Sequence, residues 1–274
     1  MSNQPLYPLI FTDLDGTLLD HETYSAKPAD ALIKKLHDAS IAHVIPVTSK
    51  TQAELSWLER EIPFHDSIKV SENGSVIHTQ YGFPFSKQDS VETIILSVSY
   101  QTILNAIKTL PENLRCHINS FSDMTADIVA NHTGLLPDDA QRAKQRQATE
   151  PFLWSGTAEQ LHELKKLMAK AGVNIQRGGR FHHLTGAATK EMAMKRIVDN
   201  FKQQQPEYKY ITIALGDGPN DLKMIEAADF GVIIPNTNGA AITSNASSVR
   251  LAQEPGPKGW VTSVTNVLKE LGLL

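Results

Sequence analysis

Cysteine is nearly absent: Cys116 is the single thiol in 274 residues. One thiol cannot close an internal disulfide, so no disulfide framework holds this chain, and the composition fits a reducing cytoplasm. Cys116 is expected to be a small buried residue rather than a nucleophile. No apolar run approaches the ~20 residues of a membrane helix. Excess charge is also lacking. The 26 Lys and Arg against 30 Asp and Glu leave a net charge of −4, so no global field invites nucleic acid or an anionic membrane. Met1-Ser2-Asn3-Gln4-Pro5 lacks the basic-then-apolar pattern of a secretory leader. A soluble cytoplasmic protein is expected. No Gly-Lys-Ser/Thr phosphate loop occurs, which argues against an ATP-driven phosphotransferase. His78, His117, His132, His182 and His183 share no metal-ligand spacing and read as turn or surface residues. There is no internal repeat and no low-complexity tract.

What is present has a rhythm. Residues 6–12 form a continuous apolar strand of the kind covered on both faces in parallel sheets. A helix follows over 28–39, with Pro28 suited to its first turn and Leu32 and Leu36 on one face. Then come a strand over 41–47, a helix opened by the capping box Thr51-Gln52-Ala53-Glu54, and a third strand over 67–70. This alternation predicts a doubly wound, Rossmann-like parallel sheet in an α/β fold.

The pattern changes after the turn signal Glu72-Asn73-Gly74-Ser75. Short β pieces are expected at 76–78 and around Phe83. Helices are expected near 88–109 and 157–171, strands near 114–121, 150–155 and 173–177, and further helix near 131–148. The α/β rhythm then returns with helix 190–201, strand 210–215, helix 219–227 and strand 230–234. The expected organisation is a core from residues 1–84 and 187–274, with an α+β cap domain inserted at 85–186.

Two acidic clusters stand at the ends of buried strands. In Phe11-Thr12-Asp13-Leu14-Asp15-Gly16-Thr17 the carboxylates sit at i and i+2, so on extended backbone they point the same way. One such group can attack phosphorus and ligate a cation while the other serves as general acid and base. A solvated Asp-Gly turn is the plain alternative. A calcium loop is a third option, but it needs Gly sixth and Glu twelfth, where this chain has Leu18 and Tyr24. Gly216-Asp217-Gly218-Pro219-Asn220-Asp221 offers carboxylates four residues apart, suited to Mg²⁺ or, alternatively, to capping a helix. It lacks the third glycine of a dinucleotide fingerprint. Thr48-Ser49-Lys50-Thr51 is a phosphate cradle or a plain cap. Lys190, placed against the helix macrodipole, neutralises a phosphate or the Asp13 carboxylate, or is merely a solvated helix former. Arg177-Gly178-Gly179-Arg180 presents planar donors to an anion, or is an exposed basic turn.

In this order, Asp13-x-Asp15-Gly-Thr, Thr48, Lys190 and Gly-Asp217-x-x-x-Asp221 resemble the haloacid dehalogenase-like phosphatase superfamily, over the whole chain. The insertion resembles the type IIB cap of its Cof-like branch. Most of that branch reads Thr-Gly-Arg where this chain reads Thr48-Ser49-Lys50-Thr51. That departure, with Arg177-Gly-Gly-Arg180-Phe181 and Ala148-Thr149-Glu150-Pro151-Phe152, is similar to the mannosyl-3-phosphoglycerate phosphatases. The resemblance implies a nucleophilic Asp13, an acid/base Asp15, and Thr48 and Lys190 holding the phosphoryl group. Mg²⁺ would be held by Asp13, the Asp15 backbone carbonyl and Asp217, with Asp221 in support. Ser49, Asn73, Arg177 and Arg180 are the expected substrate-binding residues, with Arg180 meeting the carboxylate of a small phosphorylated sugar acid. A monomer or weak dimer is expected. A broad sugar-phosphate phosphatase, a phosphohexomutase and a non-catalytic metabolite sensor are the rival readings.

Overall fold

The computed structural model describes residues 4–62, 64, 68–79, 92–178, 180–236 and 241–274. The β piece expected around Phe83, the boundary expected at residue 85 and Gly179 lie outside the described residues. Twelve strands are described: β1 (Leu6–Thr12), β2 (His43–Pro46), β3 (Lys69–Ser71), β4 (Val76–Thr79), β5 (Glu92–Ile95), β6 (Ile118–Ser120), β7 (Thr149–Trp154), β8 (Asn174–Gly178), β9 (Phe181–Thr185), β10 (Lys209–Gly216), β11 (Phe230–Ile233) and β12 (Val249–Leu251). Among the described residues no helix is long and apolar enough to cross a membrane.

One sheet runs β12-β11-β10-β1-β2 with every pair parallel. β1 explains why its sequence has no polar alternation. Leu9 and Phe11 face the helix Lys190–Gln204 through Ala193, Met194, Ile197 and Phe201. Ile10 points the other way, into a cluster with Ile33, Leu36, Trp260 and Val264 from two further helices. A strand buried on both faces needs apolar side chains at every position. The buried Trp260 indole still needs an acceptor, and its N–H donates to Thr12 Oγ1 at 3.1 Å.

A small antiparallel sheet, β3-β4-β5, leans on the parallel one through a bridge between Val47 and Val70. A second antiparallel sheet, β6-β7-β9-β8, packs Phe152 and Leu184 against Ile103, Ile107, Leu164 and Met168 of the helices Tyr100–Lys108 and Ala158–Lys170.

Several elements differ from expectation. Residues 92–95, expected to be helical, form β5 and pair with β4; the helix starts at Tyr100, where the Ser99 hydroxyl accepts the Thr102 N–H at 3.2 Å. The β-branched run Thr93-Ile94-Ile95 explains the change. The strand expected from 114 begins only at Ile118, because Pro111 opens a short helix, Glu112–Arg115. β9, β12 and the helix Gly256–Glu270 were not foreseen; the helix opens on Gly256-Pro257, which reads as a turn. Cys116 is exposed, not buried. His78 is no surface residue: it is buried on β4 with Nε2 2.8 Å from Ser71 Oγ, and burial pushes its pKa down to about 4.

Candidate active site

The register of the parallel sheet gathers the motifs. Thr12 stands opposite Leu215 on one side and Pro46 on the other, so the loops carrying Asp13, Asp217 and Thr48 leave the sheet at the same level. The Asp13 N–H donates to the Leu215 carbonyl at 2.9 Å. The carboxyl ends of parallel strands are where open α/β sheets bind ligands.

Four charged side chains meet there. Lys190 Nζ is 2.5 Å from Asp13 Oδ1 and 2.6 Å from Asp221 Oδ1, with the ammonium only 1% exposed. The helix expected over 219–227 begins only at Leu222, and Asp221, the residue before it, does not cap it with its side chain. Its Oδ2 instead accepts the N–H groups of Asp217 (3.2 Å) and Gly218 (3.0 Å), folding the turn back on itself. Asp217 takes the Thr17 hydroxyl at 3.4 Å and the Asn236 amide at 2.5 Å. Thr17 and Asn236 were not singled out in the sequence; Thr17 belonged to the Asp-Gly-Thr signature, whereas Asn236 carried no signal. Gly16 has φ +77°, and a Cβ there would lie 2.7 Å from Asp217 Oδ2, so glycine is what lets these two loops meet.

The cluster is short of positive charge. Asp13, Asp217 and Asp221 each offer an oxygen within 4.8 Å of the others, while Lys190 is their one ammonium partner among the described residues. Burial pushes the Asp13 pKa up to about 8, Lys190 opposing and Asp221 and Asp15 adding to it. Burial and the Asp221 charge also raise Asp217. For Lys190, burial alone would lower the pKa, but the two carboxylates outweigh it and keep the ammonium charged. An all-oxygen donor set with uncompensated negative charge fits a hard divalent cation. Asp221 Oδ1 is already paired with the Lys190 ammonium and its Oδ2 accepts two N–H groups, whereas each Asp217 oxygen accepts a single neutral donor, so Asp13 and Asp217 are the better placed ligands.

Asp15 has a different partner. Its Oδ2 is 2.9 Å from Lys50 Nζ, while Oδ1 is buried without a hydrogen-bond partner. Burial alone would lower the Lys50 pKa, but Asp15 and Glu54 outweigh it. Lys50, read in the sequence within the Thr48–Thr51 segment but given no role of its own, is thus the ion-pair partner of Asp15. Thr48 is fully buried, and its Oγ1 accepts the Lys50 N–H at 3.2 Å. Ser49 offers its carbonyl to Arg146 at 3.1 Å. Asn73 Oδ1 accepts the Asn220 amide at 3.2 Å.

Arg177 and Arg180 are not brought to this cluster. Arg177 lies on β8 opposite His182 of β9, and Arg180 donates to the His132 carbonyl within the inserted segment. Arg177 is exposed on β8, the edge strand. Other cations face the core instead. A cavity of about 450 Å³ lies where the segments meet, walled by Tyr24, Lys27, Lys50 and Trp57 on one side and Leu135 and Arg142 on the other. Lys50 Nζ lies 5.5 Å from the Tyr24 ring centroid and the Arg142 guanidinium 5.0 Å from that of Trp57.

A family model described as haloacid dehalogenase-like hydrolase matches residues 10–251, and the chain belongs to that family. It is a phosphoric monoester hydrolase. A glucosyl-3-phosphoglycerate/mannosyl-3-phosphoglycerate phosphatase from Persephonella marina is 32% identical over 268 residues, covering 96% of this chain and 98% of that one. Among solved structures, a phosphatase of the haloalkanoate superfamily from Bacteroides thetaiotaomicron superimposes with a TM-score of 0.65 at 18% identity, over 98% of this chain and 96% of that chain. A subclass IIB sugar phosphatase gives 0.61 at 18% identity, over 97% and 99%. At these identities the two structures share the fold.

Proposed function

We propose that this enzyme is a Mg²⁺-dependent phosphatase hydrolysing a phosphorylated sugar acid, with mannosyl-3-phosphoglycerate as the first candidate, to the free sugar acid and phosphate. The observation that carries the chemistry is the buried cluster of three carboxylates around one ammonium, a site that a divalent cation and a phosphoryl group complete. The substrate class is supported by the 32% identical relative and its printed name.

In this reading Asp13 attacks phosphorus and the bond to the leaving alcohol breaks, giving an aspartyl-phosphate. Asp15 donates its proton to that alcohol through Oδ1, the oxygen Lys50 leaves free. It then takes a proton from the water that attacks the aspartyl-phosphate, and phosphate departs. Thr48 and Lys190 hold the equatorial oxygens. Asp13 and Asp217 would hold the cation, which when bound would supply charge neutralisation for the transferred group. Residues 85–186 serve as the cap, with β5 as its connection to the core. The cavity walled by Lys50, Trp57 and Arg142 receives the leaving group, its cations meeting the carboxylate and its aromatic rings the sugar.

Steady-state phosphate release from mannosyl-3-phosphoglycerate, glucosyl-3-phosphoglycerate and a panel of hexose phosphates, with and without Mg²⁺, tests this. A strong preference for the sugar-acid esters supports it. Equal rates on hexose phosphates would replace it with a broad sugar phosphatase.

A further inference from the structure

In the turn Glu72–Gly74 three consecutive residues have positive φ: Glu72 at 52°, Asn73 at 57° and Gly74 at 92°. A non-glycine residue in this region is held there by its surroundings, and two in succession require strong anchoring. The anchors are the loops of the site. The Glu72 N–H donates to the Lys50 carbonyl at 2.9 Å and the Asn73 N–H to the Thr48 carbonyl at 2.8 Å. Asn73 Oδ1 takes the Asn220 amide from the loop between Asp217 and Asp221. Gly74 packs against the start of the Lys190 helix, where a Cβ would collide with Thr189 and lie 2.6 Å from the Lys190 nitrogen. One short turn therefore touches the segments that carry Thr48, Lys190 and Asp217.

The Glu72 side chain turns away from these loops, toward the inserted segment. It is fully buried, and its carboxylate accepts the Gln147 N–H at 2.8 Å, the Ala148 N–H at 3.1 Å and the Thr149 hydroxyl at 2.6 Å. Those residues lead into β7, the strand of the cap sheet between β6 and β9. A buried carboxylate stripped of three donors pays a large desolvation cost, so the turn and the inserted segment are stable together.

We propose that Glu72 is a positioning residue: it joins docking of the inserted segment at 147–149 to the turn that sets Thr48 and Lys190, so the phosphoryl site is aligned only when that segment is docked. This rests on the reading of Thr48 and Lys190 as phosphoryl-holding residues, and not on the identity of the sugar acid. The test uses p-nitrophenyl phosphate, which has no sugar acid to contact the cap. Glu72→Gln and Thr149→Val, singly and together, are compared with wild type for kcat, KM and melting temperature. Docking is read by energy transfer between a label on the exposed Cys116 and a second on Lys34→Cys, an exposed core position. The expected result is a kcat at least tenfold lower in each single variant, KM changed less than threefold, a double variant no worse than the worse single, and reduced energy transfer.

A kcat within twofold of wild type in both singles overturns the inference. So does a lower kcat with unchanged energy transfer, since Glu72 would then act within the turn alone. Should Glu72→Gln not fold, Thr149→Val decides, because it leaves the turn untouched. Should wild type not turn over the aryl ester, energy transfer in Thr149→Val decides. A Lys190→Met control with full activity overturns the site reading itself, a failure distinct from either of these.

Discussion

Two buried acids, one in each part of the molecule, show how differently the same side-chain chemistry is used. In the inserted segment Glu150 is fully buried and well satisfied: it accepts the Tyr100 hydroxyl at 2.9 Å and the Ser122 N–H at 2.6 Å. Burial raises its pKa, and those donors pull it back. At the end of β1, Asp13 is also buried but shares its single ammonium with Asp221 and faces Asp217 as well. Satisfied burial of this kind specifies a core; burial with negative charge left over stores binding capacity for a cation and an electrophile. Glu150 has donors for both of its oxygens, whereas Asp13 is left with a charge deficit that the proposed chemistry would use.

The sharpest way to break that comparison is to neutralise each acid in turn. In the proposed mechanism Asp13→Asn removes the attacking carboxylate, so phosphate release should fall by on the order of 10⁴ or more while the fold survives, read by a phosphate assay and a thermal melt. A residual rate near wild type would place the chemistry elsewhere. The second effect is on stability. Asp13 binds its proton more tightly folded than unfolded, with a pKa of about 8 against an ordinary 3.8. Its contribution is therefore full below about pH 4 and is lost as pH rises through about 8. Metal-free protein should lose melting temperature over this window. Mg²⁺ should restore about 4 °C or more at pH 8, less at pH 5, and almost nothing in Asp13→Asn. An equal Mg²⁺ effect at both pH values would contradict the charge deficit.

Glu150→Gln should do the reverse of Asp13→Asn, costing about 1–3 kcal/mol of stability with kcat within about twofold on an aryl phosphate, because a satisfied acceptor is exchanged for a mismatched amide. Denaturant unfolding and the same assay check it together. The smallest effect belongs to Arg180→Ala. Its guanidinium bonds a carbonyl inside the cap rather than facing the cluster, so kcat/KM on mannosyl-3-phosphoglycerate should change by less than about threefold. A tenfold loss confined to that ester would bring the Arg177–Arg180 turn back to the substrate.

Much of the site was legible because its signals are local. Asp13 and Asp15 follow an apolar strand, Asp217 and Asp221 follow another, and strand ends in a parallel sheet are where ligands gather. The same locality explains what was missed. Lys50 had no role of its own until its ammonium was seen on Asp15. Asn236 has no sequence signal at all, being recruited to Asp217 across a loop. The two cap arginines read as a recognition turn because a Gly-rich basic turn carries that chemistry wherever it points; its direction is a tertiary fact.

By itself, then, the sequence determined the parallel α/β core, through uninterrupted apolar strands that only burial on both faces explains, and the acids and the lysine that such a core brings to one edge. Only the tertiary structure decided how these charges are shared. Lys190 is split between Asp13 and Asp221, Lys50 is spent on Asp15, and Glu72 reaches across to the inserted segment. The physical reason is range. Periodicity and turn chemistry act over a few neighbouring residues, whereas electrostatic partnership depends on distances between residues 31 to 177 positions apart.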